Sequence, residues 1–286
     1  MTEIYYKKAD GSMVLIGNVP DSTQSPPPPS PPSPTTSTGL DDFGTKMIYP
    51  TVSGGRVFNA PFNTGSQRTL SSGQRDGTSD LKPLGSAQYT IVPSAGEMRI
   101  NGSVPRVYVF DEARQKMFEN VEVTCYYNSV GRGNMASYQG MEIGVRGQHE
   151  LQKGNDTVRT YYCRHSIDKN WWRMKEDVHP TSKDVVMKSG VDFAVNKWYG
   201  MKFIVRNMAN GDVKLESYQD LTDGAGGGTW TKMYEFVDTA SNPWAGYPVY
   251  TSETPSCGCH SVFARSDNAT DFRLKKFSIR EVGPAS

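Results

Sequence analysis

No stretch of about eighteen consecutive apolar residues occurs in this chain, so nothing in it reads as a membrane-spanning helix. A surplus of one charge is missing too: 31 Lys and Arg against 30 Asp and Glu leave a formal net charge of +1. A nucleic-acid partner gripped by a basic face is therefore not expected, while a local basic patch stays open to an acidic sugar. The first residues, MTEIYYKKADG, carry Glu3 and no apolar core, so an ordinary secretory signal is not expected. Cysteine is scarce. Cys125, Cys163, Cys257 and Cys259 match no zinc spacing, so these residues predict no structural metal. A clean helical period is absent after residue 40, and Asp111–Asn120 is the best short-helix candidate.

What is present divides the chain in three. Residues 1–18 contain IYYKKADGSMVLIG, two β-rich runs around Asp10-Gly11, a strong hairpin signal. Such a hairpin is marginal alone in water and is expected to dock on something, as an anchor. Residues 19–39, VPDSTQSPPPPSPPSPTTSTG, are Pro/Ser/Thr-rich. They predict an extended spacer without a core, because proline fixes φ and removes donors. Residues 40–286 read as strands and turns throughout.

The strand pattern predicts an all-β, antiparallel β-sandwich, a concanavalin-like β-jelly roll preceded by the hairpin and the Pro-rich linker. In Val121–Ser129, Val121, Val123, Cys125 and Tyr127 share one face, and Glu122, Thr124, Tyr126 and Asn128 the other. Met141, Ile143 and Val145 point inward from Gly140–Gly147. Tyr199, Met201, Phe203 and Val205 do so from Lys197–Asn207. In Asp271–Val282 the buried positions change parity between Leu274 and Phe277, which predicts a bulge. Period-2 alternation of this kind implies one buried and one wet face.

The window Arg146–His179 concentrates Arg146, Gln148, His149, Tyr161, Tyr162, Arg164, Trp171, Trp172, Arg173, Lys175 and Glu176. Alternation selects Arg146 on one strand, Tyr162 and Arg164 on the next, and Arg173 and Lys175 on a third. Such a set suits β-elimination in a uronic-acid polymer. A cation must neutralise the carboxylate so that the proton α to it can be removed, and an acid must protonate the leaving glycosidic oxygen. A guanidinium beside a tyrosine favours the phenolate. The same residues also serve binding without chemistry, with Trp171, Trp172 or Tyr162 stacking on sugar, or simple strand packing. Hydrolysis ranks lower. Glu142 and Glu176 are the available carboxylates, and no E-x-D-x-E strand motif accompanies them. Asp220-Leu-Thr-Asp223-Gly224 and Asp267-Asn268 are oxygen-rich turns that a structural calcium or plain turn chemistry explains equally well. No other cofactor is expected.

The segments FENVEVTCYY, GVRGQH, RTYYCRH, MKEDVHP, NKWYGMKFIVRN and GGGTWTKMYEFVD occur in that order between Met98 and Val282. The series resembles the alginate and glucuronan lyases of polysaccharide lyase family 14, as encoded by large viruses of green algae. The resemblance implies a jelly roll with a concave groove and metal-independent β-elimination of a uronic-acid cell-wall polysaccharide. It implies Arg146 as carboxylate neutraliser and Tyr162 as base and acid, with His149 and Lys175 in support. Gln148, Arg164, Arg173 and Tyr126 are the candidate substrate-binding residues. Gly144 departs from a serine carried by some members, and Glu119 stands where a catalytic lysine is first sought. The alternative is a non-catalytic carbohydrate-binding or structural module of a virion or extracellular surface, with virion or surface proteins held through the N-terminal segment. Finally, Cys163 is expected to bridge to Cys257 or Cys259, with Cys125 a reduced core thiol. Four free thiols are the competing expectation.

Overall fold

The computed structural model describes residues 2–7, 13–19, 39–79, 81–85, 87–102, 105–109, 118–131, 140–147, 159–166, 171–178, 181–188, 194–239, 261–266 and 270–286. The chain divides into two compact units, Met1–Thr36 and Ser37–Ser286. The first holds β1 (Thr2–Lys7) and β2 (Met13–Val19), paired antiparallel with a register shift between Ile4 and Tyr5.

The second unit runs β3 (Val57–Ala60), β4 (Arg68–Leu70), β5 (Lys82–Leu84), β6 (Ala87–Val92), β7 (Glu97–Gly102) and β8 (Arg106–Val109). There follow β9 (Val121–Gly131), β10 (Gly140–Gly147), β11 (Arg159–Ser166), β12 (Trp171–Val178), β13 (Thr181–Lys188) and β14 (Trp198–Asn207). The last four are β15 (Val213–Asp220), β16 (Thr231–Asp238), β17 (Ser261–Arg265) and β18 (Thr270–Glu281). They form a seven-stranded sheet ordered β13-β12-β11-β10-β17-β8-β5 and a nine-stranded sheet built on β16-β15-β14-β9-β18-β7-β6-β4, with β3 also on β18. All strand pairings are antiparallel. This is the β-sandwich that the alternation predicts.

One core fills the space between the sheets. The seven-stranded sheet supplies Val107, Val109, Met141, Ile143, Val145, Tyr161, Cys163, Val262 and Ala264. The nine-stranded sheet supplies Val121, Val123, Cys125, Tyr127, Tyr199, Met201, Phe203, Val205, Phe272, Leu274, Phe277 and Ile279. Each large apolar side chain so buried contributes about 1.5–3 kcal/mol. The parity change in β18 is a bulge. Its pairing with β9 shifts register between Lys275 and Ser278, and Lys276 takes φ +50. Residues 118–120 are not helical, and 111–117 lie outside the described residues.

Two expectations are corrected. First, the polar face of the nine-stranded sheet is not wet: Glu122, Thr124, Lys202 and Glu216 are all fully buried. The segment from Gly39 to Thr51 lies over it. Ile48 and Tyr49 donate their amides to Glu122, Ser278 donates to Asp41, and Arg280 donates to the Tyr49 carbonyl and the Thr51 hydroxyl. Second, Cys163 forms no disulfide. It is a free thiol facing the core between the sheets, as is Cys125. Burial pushes both thiols well above the ordinary cysteine range, which keeps them protonated and unreactive. Cys257 and Cys259 lie outside the described residues.

Candidate functional site

The outer face of the seven-stranded sheet carries two side-chain rows that run across the strands. The register sets Tyr162 opposite Gly144, Gly144 opposite Phe263, and Phe263 opposite Tyr108. These aromatics form a cluster of their own, separate from the main core, with Leu84 packed against it. Phe263 meets Tyr108 with ring centroids 5.0 Å apart and Tyr162 at 5.3 Å. Gly144 is what permits this contact. A Cβ there would stand 2.2 Å from Phe263 Cζ. Gly144→Ala should therefore destabilise the domain by about 1–3 kcal/mol through overpacking, visible as a lower midpoint in denaturant titration with unchanged slope. A midpoint equal to that of the wild type would show that the ring yields without cost.

The second row is charged. Glu142 stands opposite both Arg164 and Arg265, and Arg265 opposite Arg106. Glu142 forms ion pairs with Arg164 and with Arg265, the latter at 2.5 Å. Among the described residues Arg106, Arg265 and Arg164 share this row with Glu142, and the Arg265 guanidinium also lies 5.4 Å from the Tyr162 ring centroid. A buried carboxylate is tolerated only with such partners. Burial is graded along the face. Tyr162, Glu142 and Arg164 are buried, whereas Arg106, Lys82 and Leu84 toward the β5 edge are half-buried. On the other side the ladder continues, with Lys175 opposite Tyr162 and Arg173 opposite Arg164.

The structure brings four of the candidate residues onto this ladder: Tyr162, Arg164, Arg173 and Lys175. Arg146 is elsewhere. It sits at the irregular end of β10 with φ +54, fully buried. Its Nε donates to the Glu119 carbonyl at 2.9 Å and Nη2 to Asn207 Oδ1 at 2.8 Å. Asn207 in turn donates to Glu119 Oε1 at 2.7 Å and, through its amide, to Asn120 Oδ1 at 2.6 Å. Arg146 therefore ties β10 of one sheet to the end of β14 in the other. Burial lowers its pKa to about 10, so it remains a cation at neutral pH. His149 and Gln148 lie outside the described residues.

Tyr126 belongs to β9 and to the other sheet. Its hydroxyl donates to Asp220 at 2.9 Å and its ring meets Trp230 edge-on. Burial and the adjacent Asp220 charge push its phenol well above the ordinary range. Asp220 itself also accepts from the amides of Thr222, Gly224 and Thr229 and from the Thr222 hydroxyl. The Asp220–Gly224 turn is thus held by hydrogen bonds to one carboxylate. No group of three or more metal-ligating side chains occurs among the described residues. His165 faces inward between Tyr127 and Tyr199, and burial holds it neutral.

Sequence reasoning missed Arg106, Tyr108, Phe263 and Arg265. Alternation in RVYV and SVFAR places each pair on one face. That β17 slots between β10 and β8 is a long-range fact, and it is what joins them to Tyr162 and Glu142.

No protein-family model matches the chain, and no curated protein matches it in sequence. Solved structures are similar in architecture. The alginate lyase Aly36B has 9% identity and a TM-score of 0.46, covering 80% of this chain and 98% of its own. The marine PL-14 alginate lyase from Aplysia kurodai has 12% identity and a TM-score of 0.42, covering 76% and 100%. The carbohydrate-binding module CBM66 from Bacillus subtilis has 7% identity and a TM-score of 0.39, covering 64% and 86%.

Proposed function

We propose that this chain acts on an acidic polysaccharide at the outer face of the seven-stranded sheet and cleaves it by β-elimination. The observation that carries the reading is that Arg164 and Arg265 both pair with Glu142, with Arg106 next in the same row and Tyr162 beside it. Guanidiniums bind carboxylates in a planar, two-pronged geometry. With Arg164 or Arg265 against the uronate carboxylate, the negative charge that develops on removal of the C5 proton is stabilised. Tyr162, as phenolate, takes that proton. The electron pair forms the C4–C5 double bond, the C4–O bond breaks, and the leaving oxygen receives a proton from Tyr162 or from Lys175, its neighbour in the ladder. In this reading Arg164 and Arg265 take the neutralising role that the resemblance gives to Arg146. His149, Gln148 and Arg173 stay supporting candidates.

A second reading has its own support. Glu142 already engages both guanidiniums, and Tyr162 is buried, which suits a sheet face that binds or packs without cleaving. The direct experiment incubates the intact chain with glucuronan and with alginate. It follows the ultraviolet absorbance of the new C4–C5 double bond together with polymer length. Rising absorbance and shortening chains support the lyase. Retention of the chain on immobilised polymer with no change in polymer length replaces it with the binding module. For the hairpin and the Pro-rich stretch we propose the roles of anchor and spacer at a surface. A chain lacking residues 1–39 should keep its action on polysaccharide and lose surface association.

A further inference from the structure

A cleft lies on the nine-stranded sheet. It encloses about 370 Å³ and is lined by Asp42, Phe43, Phe62, Asn63, Lys275 and Lys276, with the turn at Ala95–Gly96. Four separate stretches of chain converge on it, and the β18 bulge decides its charge. Leu274 and Phe277 both face the core, so the two residues between them, Lys275 and Lys276, stand together on the outer side. Without the inserted residue, alternation would send only one lysine outward.

The two ammonium groups are not equivalent. Lys275 pairs with Asp223 at 2.6 Å and lies 4.1 Å from the centroid of the Trp198 ring. Lys276 stands 5.3 Å from the Tyr126 ring centroid, and no carboxylate among the described residues pairs with it. Lys276 also holds φ +50, a left-handed conformation that glycine adopts freely and lysine does not. A lysine at a φ where glycine would be unstrained is a local conformational cost that the fold bears at this position. Beside it, the half-buried ring of Phe43 offers an apolar surface, the exposed Asp42 carboxylate accepts from the Asn59 side-chain amide and keeps acceptor capacity for a hydroxyl, and an exposed Asn63 amide can both donate and accept.

We propose that this cleft is a second saccharide subsite that takes one uronate residue. The carboxylate pairs with Lys276, hydroxyls donate to Asp42 and bond Asn63, and the sugar ring rests by Phe43. The choice of ligand class rests on the acidic-polysaccharide reading above, but the site is on the opposite sheet and is testable apart from it.

The test titrates the intact, isotope-labelled chain with methyl glucuronoside and, separately, methyl glucoside, reading backbone amide shifts. The amides of Asn63, Gly96 and Lys276 should move with the glucuronoside, with a Kd on the order of millimolar. The glucoside should bind at least about fivefold more weakly, since a charged hydrogen bond is lost. Lys276→Gly should melt at or above the wild-type temperature, because it relieves the left-handed backbone. It should nevertheless lose at least about tenfold in affinity at these amides. Lys276→Met, whose folding is checked by the same spectrum, should lose as much. Wild-type affinity in either variant, or silence of these three amides, overturns the proposal. Shifts confined to Gly144 and Phe263 would leave the sheet-face reading standing and remove this one. Shifts confined to Asn63, Gly96 and Lys276 would do the reverse.

Discussion

Replacing Glu122 by glutamine should cost the domain about 3–5 kcal/mol, the usual effect of removing one partner from a buried ion network. Glu122 is fully buried and is held by two cations and two backbone amides. Lys202 Nζ lies 2.8 Å and Arg280 Nη2 2.7 Å from Oε1, and the amides of Ile48 and Tyr49 bond the same carboxylate. The variant leaves two buried cations short of their counter-charge and loosens the Gly39–Thr51 segment. For a domain of this size the melting temperature should fall by roughly ten degrees. The pH dependence has a definite sign. Burial alone would raise the Glu122 pKa, but Lys202 and Arg280 outweigh it and hold it below the ordinary carboxylate value. The stabilisation is therefore fully present above the unfolded-state pKa and disappears as pH falls through the depressed folded value. Melting curves of the two proteins should be far apart at neutral pH and converge in strong acid. A gap that stays constant down to acid, or is absent at neutral pH, would show that Glu122 does not act through its charge.

Tyr162→Phe should reduce turnover on a uronic-acid polymer by about 100- to 10,000-fold, the range expected for loss of a positioned general acid and base. The change is clean because the phenyl ring is retained. Packing on Phe263 persists, and the stability change should stay within about 1.5 kcal/mol, the worth of a hydroxyl's hydrogen bond. Steady-state kinetics should place the loss in kcat rather than KM, since the hydroxyl is used in proton transfer and not in holding the substrate. Turnover equal to that of the wild type would remove Tyr162 from the chemistry. A loss explained wholly by KM would assign it to binding.

Much of this architecture is legible in period-2 alternation. The inward sets of β9, β10 and β14 follow from it directly, because side chains on a strand must alternate. So does the β18 bulge, since Leu274 and Phe277 cannot both face one side of a regular strand. The same alternation put Tyr162 and Arg164 on one face and Lys175 and Arg173 on the strand beside them, and the ladder places these positions opposite one another.

Alternation fails where burial comes from outside the strand. Glu122, Lys202 and Glu216 have the polarity of a solvated face, yet a distant segment lies on them, and ion pairing makes their burial tolerable. Arg146 shows the same limit at a single residue. Its parity is that of an outer-face position, but the irregular backbone at the end of β10 turns it toward Glu119 and Asn207. Local sequence thus determined that β9, β10, β14 and β18 are strands, which side of each is apolar, and where β18 must bulge, because these depend on neighbours one to three positions away. Tertiary structure alone decided that β17 lies between β10 and β8, so that Arg265 and Phe263 join Glu142 and Tyr162, and that two lysines at a bulge meet Asp42 and Asn63 in one cleft. Those meetings depend on the order in which strands pair, and pairing is fixed by the burial of the whole core rather than by any segment's own pattern.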